Sequence, residues 1–267
     1  MPGTRQIVAP LSEEVDQIQD LLQPVVAYGR NLVAGEVLPF HSHRRAQFVY
    51  ASRGVMTVTT SSGSYVVPPQ RAVWMPGGVE HRIDARSDVA MRTLYVEITE
   101  AAHLPMDVCV LQVSPLLREL VVAAVLAGPE YPPDSPESRI MAVILDQIRV
   151  QPVAALALPM PAEARVLRVV QALRADPADS RDLGAWAKEV GASKRTLTRL
   201  FTAQMGMSFR SWREQLRVLR ALELLATGES VTNVALEVGY ENTSAFIAMF
   251  RRCLGTTPGR YLDVANR

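Results

Sequence analysis

Histidine is rare in this chain, four in 267 residues, and imidazole is the commonest side-chain ligand of a transition metal. His41 and His43 flank Ser42, so on an extended strand, where side chains alternate, both imidazoles face the same way. Gln47 follows four residues later, and His81 comes after the turn sequence Pro76-Gly77-Gly78. Three imidazoles and an amide oxygen, if the fold brought them together, could hold Zn²⁺, Ni²⁺, Fe²⁺ or Mn²⁺ and leave coordination positions open. The same residues also suit a metal-free cavity, in which the histidines hydrogen-bond one another and line a pocket for an organic ligand.

A second group of residues has the chemistry to read nucleic acid. Leu197, Leu200 and Phe201 make one face of a helix, and Lys194, Arg195, Thr198 and Arg199 make the other. Arginine forks onto guanine O6 and N7, and threonine meets a thymine methyl. Arg195, Thr198 and Arg199 are therefore expected at base edges, with Lys194 at a phosphate. The elements that would hold this helix are legible around it. Leu183, Trp186, Ala187 and Val190 are spaced as one face of a preceding helix, Gly191 stops that helix, and Ser193 caps the next.

The arrangement then repeats. Val231, Val234, Ala235, Val238 and Gly239 reproduce the first set 48 positions later, and Phe246 and Phe250 match Leu197 and Phe201 at 49. The outward positions of the second copy are Asn242, Thr243, Ser244, Ile247 and Ala248, which carry no charge, while Arg251 and Arg252 suit phosphates. The first copy is expected to supply most sequence discrimination and the second to set register. Between them, residues 208–227 contain no Gly or Pro and keep helical spacing. A rod of that length spans about 30 Å, near the roughly 34 Å between successive major-groove faces on one side of B-DNA.

Residues 163–264, with Gly255–Tyr261 reading GTTPGRY, resemble the DNA-binding domain of the AraC/XylS family of bacterial transcription regulators. Upstream, residues 25–100 are short runs rich in Val, Tyr and Thr punctuated by Gly and Pro, the pattern of an all-β sandwich or barrel. Within them, Gly35 through His41-Ser42-His43 and Gln47 to Gly54, and then Pro76 to His81, resemble the two halves of the cupin motif. That resemblance implies a small jelly-roll barrel whose histidines converge on a divalent metal. The family's glutamate ligand is replaced here by Gln47, and the asparagine that often follows the second half by Ala85. Losing the carboxylate is expected to weaken a hard cation. The barrel is also the expected effector pocket, where Phe40, Tyr50, Met56 and Trp74 are candidates for the lining with Arg44, Arg45 or Arg82 near its mouth, although any single aromatic suits barrel core better.

The expected architecture is α+β and multidomain. An N-terminal cupin-like β-barrel, residues 1–113, binds the effector. Residues 114–160 form a helical dimerisation and linker region, and residues 161–267 an all-α domain with two helix-turn-helix motifs. In the middle region Ser114-Pro115 starts one helix, and a second places Ile140, Val143, Ile144 and Ile148 on one face. Such helices pair two subunits in similar proteins, so a homodimer is expected, although packing onto the barrel would use the same residues. QPVAALALPMP reads as a proline-bounded linker. Charge divides the same way: residues 161–267 carry 16 Lys+Arg and 11 Asp+Glu, and residues 1–160 carry 12 and 16. A basic half joined to an acidic one suits phosphate contact by the C-terminal part alone.

Cys109 and Cys253 belong to no metal or redox motif, and no leader-like or membrane-spanning run is evident, so a soluble bacterial cytoplasmic protein is expected. The expected function is a sequence-specific DNA-binding regulator, not an enzyme, whose cupin domain senses a small molecule or a divalent metal. Its partners would be double-stranded operator DNA, the effector and RNA polymerase. The competing reading is a metal-dependent cupin enzyme with an accessory helical domain. It has the three histidines in its favour and lacks the glutamate ligand and any motif-placed acid or base.

Overall fold

The computed structural model describes residues 11–101, 104–148 and 157–265. After α1 (Leu11–Gln19) come nine strands: β1 (Val25–Leu32), β2 (Val37–His41), β3 (Ala46–Arg53), β4 (Met56–Thr60), β5 (Gly63–Val67), β6 (Arg71–Met75), β7 (His81–Ala85), β8 (Val89–Val96) and β9 (Cys109–Gln112). Their β-branched and aromatic content favours a pleated, packed surface. They form two antiparallel five-stranded sheets, one ordered β1-β8-β3-β6-β9 and the other β10-β5-β4-β7-β2. The fifth member of the second sheet, β10 (Ala157–Pro159), comes from much later in the chain and pairs with β5. Part of the segment read as a linker is thus an edge strand, and Val150 to Leu156 lie outside the described residues.

The inner faces of the two sheets bury Leu38, Val49, Met56, Val58, Val73, Met75, Ile83 and Met91. The outer face of the first sheet forms a separate core with α2 (Pro115–Ala127) and α3 (Pro136–Gln147), built from Phe48, Tyr50, Trp74, Leu94, Leu117, Val121, Met141 and Ile144. Ser114 caps α2 by accepting from the Leu117 amide at 3.1 Å, and Pro115 occupies its first turn. Val143, expected on the inner face of α3, is exposed, because the buried stripe runs through Met141, Ile144 and Ile148.

The C-terminal helices are α4 (Ala164–Ala175), α5 (Leu183–Glu189), α6 (Lys194–Met205), α7 (Phe209–Ala226), α8 (Val231–Glu237), α9 (Thr243–Leu254) and α10 (Pro258–Ala265). The duplication read from the sequence recurs in the backbone hydrogen bonds. Val190 N donates to Trp186 O at 3.0 Å and Ala192 N to Ala187 O at 2.8 Å; 48 residues on, Val238 N donates to Val234 O at 3.0 Å and Tyr240 N to Ala235 O at 2.9 Å. These are the bonds of a helix closed by a left-handed glycine, with φ 68° at Gly191 and 78° at Gly239. The rod between the copies, α7, has 18 residues and is about 27 Å long. It buries Trp212, Leu216, Leu219, Leu222 and Leu225.

Candidate nucleic-acid interface and metal centre

In α6, Leu197, Phe201 and Met205 are buried, while Lys194, Arg195, Thr198 and Arg199 are exposed on the opposite face. Ser193 caps the helix, accepting from the Thr196 amide at 3.1 Å. Lys194 lies 4.0 Å from Asp182. The Thr198 hydroxyl donates to Lys194 O at 2.8 Å, which leaves its methyl outward. Among the described residues, Arg195 and Arg199 are engaged by no hydrogen bond or ion pair. Two free guanidiniums one helical turn apart are available to base edges.

The second copy has a different surface. Asn242 caps α9, its side chain accepting from the Ala245 amide at 2.8 Å, so this oxygen is spent on the helix and not on DNA. Thr243 and Ile247 are half-buried, Ile247 packing on the core, while Ser244 and Ala248 are exposed. Ser244, Ile247, Ala248, Arg251, Arg252 and Thr257 line a shallow concavity. Arg251 is exposed, whereas Arg252 pairs with Glu214 of α7 at 3.0 Å, and Glu214 also holds Arg210 at 3.3 Å.

The three histidines converge inside the mouth of the barrel. His41 ends β2, His81 starts β7 as its cross-strand partner, and His43 lies just past β2. The turn carrying His81 is clamped to His43 by Gly78 N donating to His43 O at 2.8 Å. A Cβ on Gly77 would stand 2.0 Å from Arg44 O, so only glycine permits this approach. Ring centroids are 4.2 Å apart for His41 and His81, 5.2 Å for His43 and His81, and 6.1 Å for His41 and His43.

Each Nδ1 faces a backbone carbonyl: His41 to Pro39 O at 2.8 Å, His43 to Arg45 O at 2.7 Å, His81 to Val79 O at 2.9 Å. A carbonyl only accepts, so the bonds of His41 and His81 place the proton on Nδ1 and a lone pair on Nε2, whereas His43 meets an oxygen at each ring nitrogen. One ligand atom from each ring lies within 4.8 Å of the others. Burial pushes the His81 imidazole down to about 3 and also lowers that of His43, which keeps both rings neutral.

Gln47 completes the set. Its Nε2 donates to Thr93 Oγ1 at 3.0 Å, and that hydroxyl donates to Phe48 O at 2.9 Å, which fixes the amide with Oε1 toward the histidines. Oε1 then sits 3.0 Å from His43 Nε2, where it accepts from that nitrogen when the ring is protonated there. The buried Nε2 of His81 has no hydrogen-bond partner among the described residues. A divalent cation would give that nitrogen a partner, and the backbone carbonyls behind the rings are of the kind that orients metal-binding histidines. The residues fit a metal. Sequence reasoning missed Thr93 and Tyr95, although the alternation Met91, Thr93, Tyr95 marks one face of β8; Tyr95 lies edge-on to His43 at 5.0 Å.

The expected effector lining is corrected. Gln47 faces inward, so its neighbours at odd spacing, Phe48 and Tyr50, face outward into the core beneath α2 and α3, as does Trp74. Tyr50 donates to Pro69 O at 3.0 Å and Trp74 to Pro105 O at 2.9 Å. Phe40 is exposed on β2, outside the barrel interior. Arg44 reaches outward to Gln19 O and to Glu97, the latter at 3.3 Å. Arg45 is buried and donates to Gln23 O at 2.7 Å, while Arg82 pairs with Asp84 on the outer face of the second sheet. Of the apolar candidates only Met56 faces the interior.

Comparison with known proteins agrees with this division. A helix-turn-helix domain family model matches residues 186–263, and a cupin domain model residues 30–97. The chain is 37% identical over 224 residues to the HTH-type transcriptional regulator NimR of Escherichia coli K12, which covers 84% of this chain and 82% of that protein. It is 31% identical over 129 residues to the arabinose operon regulatory protein of the same organism, 46% of this chain and 44% of that one. A crystal structure of ToxT from Vibrio cholerae aligns over 91% of this chain and 98% of its own at 10% identity, with a TM-score of 0.39. The sequence relatives are named as regulators, which places this chain among regulators and not among enzymes. No helix among the described residues is long and apolar enough to cross a membrane.

Proposed function

This chain belongs to the AraC/XylS family, a transcriptional regulator with a DNA-binding helix-turn-helix domain and a cupin domain, and on that premise we propose that the cupin domain senses a divalent metal. The observation that carries the reading is the convergence of the three histidines, one ligand atom of each within 4.8 Å of the others, with the buried His81 Nε2 unpartnered among the described residues and the Gln47 oxygen beside His43. His41, His43, His81 and Gln47 would hold the ion. When bound, it supplies positive charge and coordination bonds that tie β2 and β7 of one sheet to β3 of the other. Neutral nitrogen donors with an amide oxygen suit Zn²⁺ or Ni²⁺ better than harder cations.

On the DNA side, Arg195, Thr198 and Arg199 read base edges, and Lys194 and Arg251 hold phosphates. The exposed Leu116, Leu126 and Val143 on α2 and α3 support pairing of two copies through these helices. The test is fluorescence anisotropy against the DNA upstream of the chain's own reading frame, with Zn²⁺ or Ni²⁺ and again with chelator. Operator affinity is expected to change severalfold on chelation and to become metal-independent in His81→Ala. Protein that purifies without metal and binds the operator equally with either addition would refute metal sensing and leave the regulator assignment intact.

A further inference from the structure

The proposed donor set has no charge. Thr93 holds Gln47 as an amide oxygen where a carboxylate would bring one negative charge, and imidazole coordinates a metal as a neutral ligand. Among the described residues, no Asp or Glu joins the histidine cluster. The acids nearest in the chain are engaged or directed elsewhere. Asp84 is held by Arg82, Glu97 pairs with Arg44 and Arg45, and Glu80 is exposed. The buried core between the sheets includes Leu38, Val49, Met75 and Ile83, and the polar neighbours at the cluster, Thr60, Thr93 and Tyr95, carry no carboxylate. A divalent cation bound here by protein alone would keep its full charge in a medium that penalises unpaired charge heavily.

We infer that the site takes its cation together with a small carboxylate, which would enter from the side of His41, the most exposed of the three histidines. The inference rests on the metal-binding reading and deepens it: the effector is an anion, recognised through the metal. Charge neutralisation and metal binding are then linked, and each ligand raises the affinity for the other by the same factor.

The experiment titrates the full-length protein with Co²⁺, following its d–d absorption, alone, with acetate, and with acetamide. Acetamide has the shape of acetate without its charge. Acetate is expected to raise Co²⁺ affinity about tenfold, within the range usual for coupled sites, and acetamide to leave it unchanged. In Gln47→Glu the protein supplies the missing charge itself. Co²⁺ affinity without acetate is expected to rise about tenfold, with the acetate effect falling to near nothing. The acetate–acetamide comparison on unaltered protein stands even if the variant does not fold. Co²⁺ bound equally tightly with acetate, acetamide or neither overturns the inference and leaves metal binding standing. Wild-type protein that binds no more Co²⁺ than His81→Ala overturns both.

Discussion

Arg199 and Arg252 carry the same guanidinium in different electrostatic surroundings. Arg199 is exposed on α6 and unengaged among the described residues, whereas Arg252 is already paired with Glu214. Arg199→Ala is expected to cost about 1–3 kcal/mol on a cognate operator and to relax preference at one base; binding across a randomised site checks it, and uniform weakening at every position would contradict base reading. Arg252→Ala is expected to shift the salt dependence of binding by clearly less than the ~1 unit of a free phosphate contact. Asn242, by contrast, acts on stability. Its side chain satisfies the Ala245 amide, so Asn242→Ala is expected to lose about 1 kcal/mol in urea denaturation, with Asn242→Asp near wild type. These distinctions show where residue-level reading stops. The exposed arginine face followed from helical period alone. Tyr50 and Trp74 were misplaced because β3 and β6 are covered on both faces, which erases the polar–apolar alternation that reveals side-chain direction. The position of Gln47 as a ligand held the answer, since a period of two turns Phe48 and Tyr50 the other way.

At the scale of elements, the two helix-turn-helix units share a hydrogen-bond pattern and differ in what surrounds their turns. Gly191 has φ 68° with open space where a Cβ would go, while a Cβ on Gly239, at φ 78°, would lie 2.7 Å from Arg217 Nη2 and 2.8 Å from Ala178 Cα. Arg217 there donates to Pro177 O at 3.0 Å and sits over the Tyr240 ring, tying the second turn to the α4–α5 loop. Gly191→Ala is therefore expected to cost about 1–2 kcal/mol, the penalty of a left-handed backbone alone. Gly239→Ala adds a steric clash and is expected to cost at least about 1 kcal/mol more. Thermal denaturation of the pair checks the order, and equal losses would contradict it. The helices were legible because their caps, stops and apolar stripes are local. The edge strand β10 was not, because Ala157–Pro159 becomes a strand only through pairing with β5, far away in sequence.

In the whole molecule, the second sheet stands between the two functions. Its inner face carries His41 and His81, and its outer face packs toward α7, the rod that joins the two DNA-reading units. The contact is polar and centred on Glu223 of α7. Thr57 of β4 donates to Glu223 at 2.9 Å, Arg86, which directly follows β7, pairs with it at 3.1 Å, and Arg220 holds its other oxygen at 3.1 Å. Arg174 of α4 reaches Ser64 of β5 at 3.0 Å across the same polar cleft of about 390 Å³. Here the basic part of the chain contributes the acid and the acidic part the base, opposite to their net charges, so long-range attraction does not account for the contact. Because His81 opens β7 and Arg86 directly follows its last residue, a shift of β7 at the histidines is expected to displace the partner of Glu223. An isolated, partly exposed pair contributes little to stability, so an Arg86→Ala, Glu223→Ala cycle is expected to give a coupling of about 0.5–1 kcal/mol. Its larger effect is expected on the proposed coupling between metal and operator binding. In Glu223→Ala, metal affinity should match wild type while the ratio of operator affinities with metal and with chelator moves toward one. A ratio that stays at its wild-type value would mean that the signal leaves the barrel by another route, through β10 and the segment entering α4.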